Sequence, residues 1–225
     1  MFFLGKIYLY LVKTYLFIFS LPNPCMKGNF ALKYARILEI LPSVAECTGG
    51  RLVLVGGTAL AIFHLKHRLS VDLDFATLGS DDVQAKEALK GCLSAKGVRA
   101  FRSRFSNQFV IHFEDTSIKV EVLPPSFKVN KAEWHEVGGS GLLVASLEDI
   151  LRMKEGAYAE RKEARDLFDV MLILKSRGEP LLRMRSMIKK NGAPKNMERL
   201  QAMVFSKADF EEFEGEVSDA SKTSN

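Results

Sequence analysis

Residues 53 to 75, VLVGGTALAIFHLKHRLSVDLDF, constrain the fold more than any other stretch, because they set a strand, a glycine turn, a helix and a second strand in immediate succession. Arg51 to Val55 is a short apolar run rich in β-branched residues and predicts a strand. It stops at Gly56-Gly57, where the backbone can turn tightly and let a ligand come close. Thr58 is placed to cap the helix that follows, whose inward face is Leu60, Ala61, His64 and Leu65. A helix start behind two glycines offers free N–H groups to an anion.

The chain then runs through Arg68 and Ser70 into Val71-Asp72-Leu73-Asp74-Phe75, where polar and apolar residues alternate. On a strand that alternation puts both carboxylates on one face and Val71, Leu73 and Phe75 on the other. Neighbouring carboxylates repel unless a cation lies between them. Mg²⁺ is the natural cation, with Mn²⁺ as an alternative, since a hard ion takes a few carboxylates, waters and substrate phosphates. Ser117 to Val122 alternates again and sets Lys119 and Glu121 on one face. If this strand lies beside that of Asp72, Glu121 completes a three-carboxylate cluster able to hold two metals.

Farther on, Ser146 with Asp149 three residues later reads as a helix start, and Leu147, Ile150, Leu151, Lys154, Tyr158 and Arg161 form one helical stripe. Lys154 interrupts its apolar part and needs a partner, either a nucleotide phosphate or an acid such as Asp166. Taken singly, each feature has a plainer reading. The glycine pair can be an ordinary turn, the two aspartates a solvated strand face, and Lys154 a side chain that snorkels. Asp166 and Asp169 can pair with Arg161, Lys162 or Arg165 along a surface helix.

In order, GGTAL, RxSxDLDF, a strand acid, a helical lysine and an RDxxD segment resemble the AbiEii-type nucleotidyltransferase toxins, including the MenT group, within the DNA polymerase β-like nucleotidyltransferase superfamily. The resemblance spans about Ala31 to Lys175. It implies that Gly56, Gly57 and Thr58 contact a triphosphate, that Asp72 and Asp74 bind metal and act in catalysis, and that Arg68 and Ser70, just before that pair, help bind the nucleotide. It further implies nucleotide-binding and catalytic roles for Lys154 and a catalytic role for Asp166. Glu121 matches the strand carboxylate, with Glu in place of Asp. The reaction implied moves a nucleoside monophosphate from an NTP to an acceptor hydroxyl. In the toxin branch that acceptor is an RNA, typically a tRNA 3′ end, and a separate antitoxin protein neutralises the toxin. Relatives elsewhere modify proteins or small molecules, and a non-catalytic nucleotide-binding module is the alternative of a different class.

The expected architecture is α+β: a small mixed or antiparallel sheet with flanking helices over residues 26 to 145, then a C-terminal helical lobe over 146 to 207. The site is expected in the cleft between sheet and helices. Within the first part, Phe30 to Leu41 and Asp81 to Lys96 read as helices. Gln108 to Glu114 and Ser117 to Leu123 read as a hairpin, and 124 to 145 as an irregular link. Residues 208 to 225 are acidic and Ser-rich, and fraying is expected there. A net charge of +5 with 47% hydrophobic residues suits a nucleotide or nucleic-acid partner and a sizeable core. The most basic tract, 183 to 199, is either an RNA-facing surface or a solvated helical face. The four histidines lack metal-ligand spacing. Cys25, Cys47 and Cys92 are odd in number and unpatterned, so no disulfide framework and a cytoplasmic setting are expected. Residues 1 to 21 are apolar but include Lys6 and Lys13. They make no clear span, so membrane attachment is expected only if they are a true anchor, and Met26 is the preferred start.

Overall fold

The computed structural model describes residues 24–79, 81–103, 105–124 and 126–222. The expectations for residues 1 to 23 lie outside them. Among the described residues no helix is long and apolar enough to cross a membrane. Two compact units emerge, one reaching to Thr58 and resuming over Leu69–Ala145, the other made of Ala59–Arg68 with the chain from Ser146 onward.

The first unit is built on β1 (Leu52–Val55), whose residues are all buried, and β2 (Asp72–Thr77). They run antiparallel, with Val55 opposite Asp74. The sheet continues through β3 (Ala100–Arg102), β4 (Gln108–His112), β5 (Ser117–Val122), β6 (Ala132–Val137) and β7 (Ser140–Ala145), in the order β3-β4-β5-β2-β1-β7-β6. Pairings β1–β7 and β2–β5 are parallel and the rest antiparallel, so the sheet is mixed as expected. The β4–β5 hairpin turns at Asp115-Thr116 as the sequence suggested, with Phe113 N–H donating to the Thr116 carbonyl.

Among the described residues, two long helices belong to this unit. Helix α1 (Pro24–Thr48) extends well past the expected Phe30–Leu41 and carries Pro42 in its interior. A proline removes one backbone donor, but Val44, Ala45 and Cys47 beyond it are buried, and that packing carries the helix onward. Helix α3 (Asp82–Ala95) starts at Asp81, whose carboxylate accepts from Val83 and Gln84 N–H. Between these two in sequence lies α2 (Gly56–Ala59), one turn long.

Three expectations are corrected here. Residues 132 to 145 are no link: Gly138 and Gly139 both have positive φ, +59° and +82°, and make the two-residue turn of the β6–β7 hairpin. The weak apolar alternation of AEWHEV hid that strand. Cys47 and Cys92 form a disulfide joining α1 to α3. A sequence separation of 45 residues gave no sign that the two helices are neighbours. The tail, as far as it is described, forms α8 (Lys207–Lys222), in which Phe210, Phe213 and Ala220 are buried. Those positions fall on one helical face, and that stripe outweighs the acidic composition.

The second unit opens with a π-helical turn, Leu60–His64, closed by Leu65 N–H to the Leu60 carbonyl at 2.9 Å. It continues through α4 (Leu147–Arg161), α5 (Ala164–Ser176), α6 (Leu182–Asn191), α7 (Met197–Gln201) and α8. Ser146 caps α4 by accepting from Asp149 N–H, and Ile150, Leu151, Lys154 and Tyr158 of the expected stripe are buried. Helix α5 is buried from Asp166 through Leu174 without a break, which makes it the centre of this unit.

Candidate active site

In the first unit β1 delivers Gly56 directly beside β2. Gly56 has φ +69°, a conformation that side chains rarely adopt, and a Cβ there would lie 3.0 Å from Asp74 Oδ2. The turn therefore needs glycine for two reasons, one torsional and one steric. Thr58, expected as a helix cap, instead hydrogen-bonds the Asp72 carbonyl and lies 2.9 Å from Ser70 Oγ. Its hydroxyl locks the turn to the first residue of β2. Gly56, Gly57, Thr58, Ser70, Asp72 and Asp74 thus stand together.

Asp72 and Asp74 are half-buried and share one face of β2, while Leu73 and Phe75 are fully buried on the other. Strand β5 lies alongside in parallel, with Lys119 opposite Asp72 and Glu121 opposite Asp74. The strand placement expected for Glu121 is therefore met, but the three-carboxylate cluster is not. Lys119 Nζ lies 2.9 Å from Glu121 Oε2, and Asn107 Nδ2 donates to Oε1 at 2.9 Å. Both oxygens of Glu121 are occupied. Among the described residues no group of three His, Cys, Asp or Glu is placed to hold a metal. The reason is the pleat: residues two apart share a face, so Glu121 brings Lys119 with it. Burial lowers the Lys119 pKa, but Asp74, Glu121 and Asp72 outweigh it and the net shift is upward. For Glu121 burial acts upward and Lys119 prevails, holding the carboxyl below its usual range.

Two half-buried carboxylates on one strand face are a fitting set for a single Mg²⁺, an ion commonly held by one or two acids together with water and substrate phosphates. The bare Cα of Gly56 lets the turn come close to Asp74 Oδ2, where any other residue would crowd it. Gly56→Ala is expected to cut nucleotide transfer about a hundredfold by displacing Asp74. The positive φ adds about 1–2 kcal/mol of destabilisation. Transfer assays beside thermal melts of the same preparation check both.

Arg68, Lys154 and Asp166 belong to the second unit, where they form a buried charge network around Asp169. Asp169 is fully buried and accepts from Arg68 Nε at 2.7 Å, Arg68 Nη2 at 2.6 Å and His67 Nε2 at 2.8 Å. Lys154 Nζ lies 2.7 Å from Asp169 Oδ2 and 3.1 Å from Asp166 Oδ1. Arg161 closes the group with two hydrogen bonds to Asp166. Burial raises the pKa of Asp169, but Arg68 and Lys154 drive it well below the usual carboxylate range. Asp166 is shifted the same way, with Lys154 and Arg161 overcoming burial. Sequence reasoning passed over Asp169 as a surface charge. The signal was its setting: an aspartate in a helix that is apolar all round is buried and must be paired.

Burial holds the His67 imidazole below its ordinary value of 6.5 despite Asp169. The folded protein therefore resists protonation at His67 while the unfolded chain accepts it. Stability from this residue is complete above pH 6.5 and falls as the pH drops from there toward the lowered folded value. Chemical denaturation between pH 5 and 7 is expected to show that slope, and His67→Gln to flatten it.

Residues 47–222 match the family described as nucleotidyl transferase AbiEii toxin, type IV TA system. A crystal structure described as a nucleotidyltransferase from H. pylori is similar at 19% identity and a TM-score of 0.53, covering 86% of this chain and 95% of its own. JHP933 from Helicobacter pylori is similar at 18% identity and a TM-score of 0.52, covering 86% and 92%. No curated protein matches the chain.

Proposed function

We propose that this chain, which belongs to the nucleotidyl transferase AbiEii toxin family and is a nucleotidyltransferase, moves a nucleoside monophosphate from an NTP to a hydroxyl of an RNA, such as a tRNA 3′ end, as the toxin of a toxin–antitoxin pair. The observation that carries this reading is the Gly56 backbone lying directly against the Asp74 carboxylate, with Asp72 on the same strand face.

The backbone of Gly56, Gly57 and Thr58 receives the triphosphate of the donor. Asp72 and Asp74 hold the divalent ion, Mg²⁺ or Mn²⁺, which when bound supplies positive charge against the phosphates and the departing pyrophosphate. Thr58 and Ser70 keep the glycine turn fixed to β2, so the phosphate-receiving backbone and the carboxylates do not drift apart. The acceptor oxygen forms a bond to the α-phosphorus as the bond from that phosphorus to the bridging β-phosphate oxygen breaks, pyrophosphate leaves with that oxygen, and the hydroxyl proton passes to solvent water. Lys119 remains on the carboxylate face as a permanent cation, balancing part of the acidic charge before substrate arrives.

The resemblance gives Lys154 nucleotide-binding and catalytic roles, Asp166 a catalytic role and Arg68 a nucleotide-binding one. Their burial supports a positioning role instead, with the network holding Arg68 and Lys154 in place within the second unit. An NTP donor supports a cytoplasmic setting, and the family supports a cognate antitoxin as protein partner. Purified protein incubated with total tRNA and each labelled NTP in turn, with and without Mg²⁺, tests the reading. Metal-dependent label on RNA is the expected result. Label on protein, or none on any acceptor, rejects it.

A further inference from the structure

The first two arginines of the basic tract that stands out in the sequence are neutralised within the second unit. Arg183 pairs with Glu155, and Arg185 makes two hydrogen bonds to Glu216. Excess positive charge gathers instead where the turn between α4 and α5 meets the start of α7. Lys195 N–H donates to the Lys162 carbonyl at 2.7 Å, and Ala164 N–H donates to the Lys195 carbonyl at 2.9 Å, so the two segments lie side by side. This brings Arg161, Lys162, Arg165, Lys195 and Arg199 into one corner.

Two nearby acids are engaged, while the exposed Glu198 lies next to Arg199 in sequence. Glu163 accepts from Asn196 Nδ2 at 2.8 Å, and Asp166 is held by Lys154 and Arg161. Arg165 differs from its neighbours. Its Nε is buried with no hydrogen-bond partner, and among the described residues Arg165 makes no ion pair. Burial, first, and the like charges of Arg68, Arg161 and Arg199 lower its pKa and outweigh the attraction of Asp166. A guanidinium fork in such surroundings is costly until an anion arrives, and its planar donors match the oxygens of a phosphate.

We infer that Arg165, flanked by Lys162, Lys195 and Arg199, is a phosphate-binding site for the backbone of the RNA acceptor, separate from the glycine turn that takes the NTP. The inference rests on the RNA reading above, but binding is measured without turnover, so the two stand or fall separately. RNA that binds through Arg165 and is never labelled overturns only the transfer reading.

The test is fluorescence anisotropy of labelled tRNA with the full-length protein across a salt series, beside NTP affinity measured on the same samples. Arg165→Ala is expected to weaken tRNA binding about tenfold and reduce the salt slope by about 1, uniformly across RNA sequences, with NTP affinity unchanged. Should Arg165→Ala disturb folding, the exposed pair Lys195→Ala/Arg199→Ala is expected to lower affinity and slope in the same direction. Wild-type protein that fails to bind tRNA, folded variants that keep its affinity and salt slope, or a loss confined to NTP would each overturn the assignment.

Discussion

Asp72→Ala is expected to reduce nucleotide transfer by about a thousandfold or more while leaving the melting temperature near that of the wild type. The two halves of this expectation come from different parts of the same residue. The carboxylate is half-buried on an open strand face beside Asp74, and its removal takes away one of the two acids that fit a divalent ion. Charge stabilisation of a phosphoryl group then falls by at least as much as when a single donor is lost from a preorganised site, about 10²–10³-fold. The backbone carbonyl of residue 72 remains, and with it the Thr58 hydrogen bond that fixes the glycine turn. Lys119 still rests on Glu121. Losing one of two mutually repelling carboxylates does not weaken the fold, so a lost activity here cannot be ascribed to unfolding. Asp72→Asn, which keeps the shape and drops the charge, is expected to fall nearly as far. Incorporation of labelled NTP near the wild-type rate in either variant would overturn the assignment of the site.

The strand, turn and second strand of this site were legible because each follows from local rules: a β-branched run, a glycine pair and a strict alternation at Asp72 and Asp74. The sheet partner of β2 was legible only conditionally, since strand order is a tertiary property. Once β5 lies beside β2, the pleat that presents Glu121 must also present Lys119, and an ammonium two residues from a carboxylate on the same face claims it. That is why a three-acid cluster read from types and spacing became two acids and an ion pair. The Cys47–Cys92 bond escaped for a similar reason, as its two helices are distant in sequence and neither cysteine has a local pattern. The β6–β7 hairpin carried a strong signal in Gly138-Gly139, but its strands lack the apolar alternation that would have given the turn meaning.

Helix α5 shows the opposite case, in which the sequence held the answer and charge alone misled. Asp169 sits among Leu167, Phe168, Val170, Met171, Leu172, Ile173 and Leu174, all buried. Removing its carboxylate is expected to be the most damaging single change in the second unit. Asp169→Ala leaves the fully buried Arg68 guanidinium without its two-point partner, takes one of two acids from Lys154, and strips His67 Nε2 of its acceptor. Breaking a buried pair from one side costs about 3–5 kcal/mol, because the remaining charge keeps its desolvation penalty. Against a typical stability of about 5–15 kcal/mol, that is a large fraction. For a chain of this length it corresponds to a fall of about 6–20 °C in Tm. An exposed pair serves as the control: Glu212→Ala, which takes the nearer of two acids from Lys175 and leaves Asp209 at 3.8 Å, is expected to cost under about 1 kcal/mol. Thermal melts of the two variants side by side decide the matter. If Asp169→Ala melted with the Glu212→Ala control, Asp169 would not be the centre of the network, and the positioning role given to Arg68 and Lys154 would fall with it.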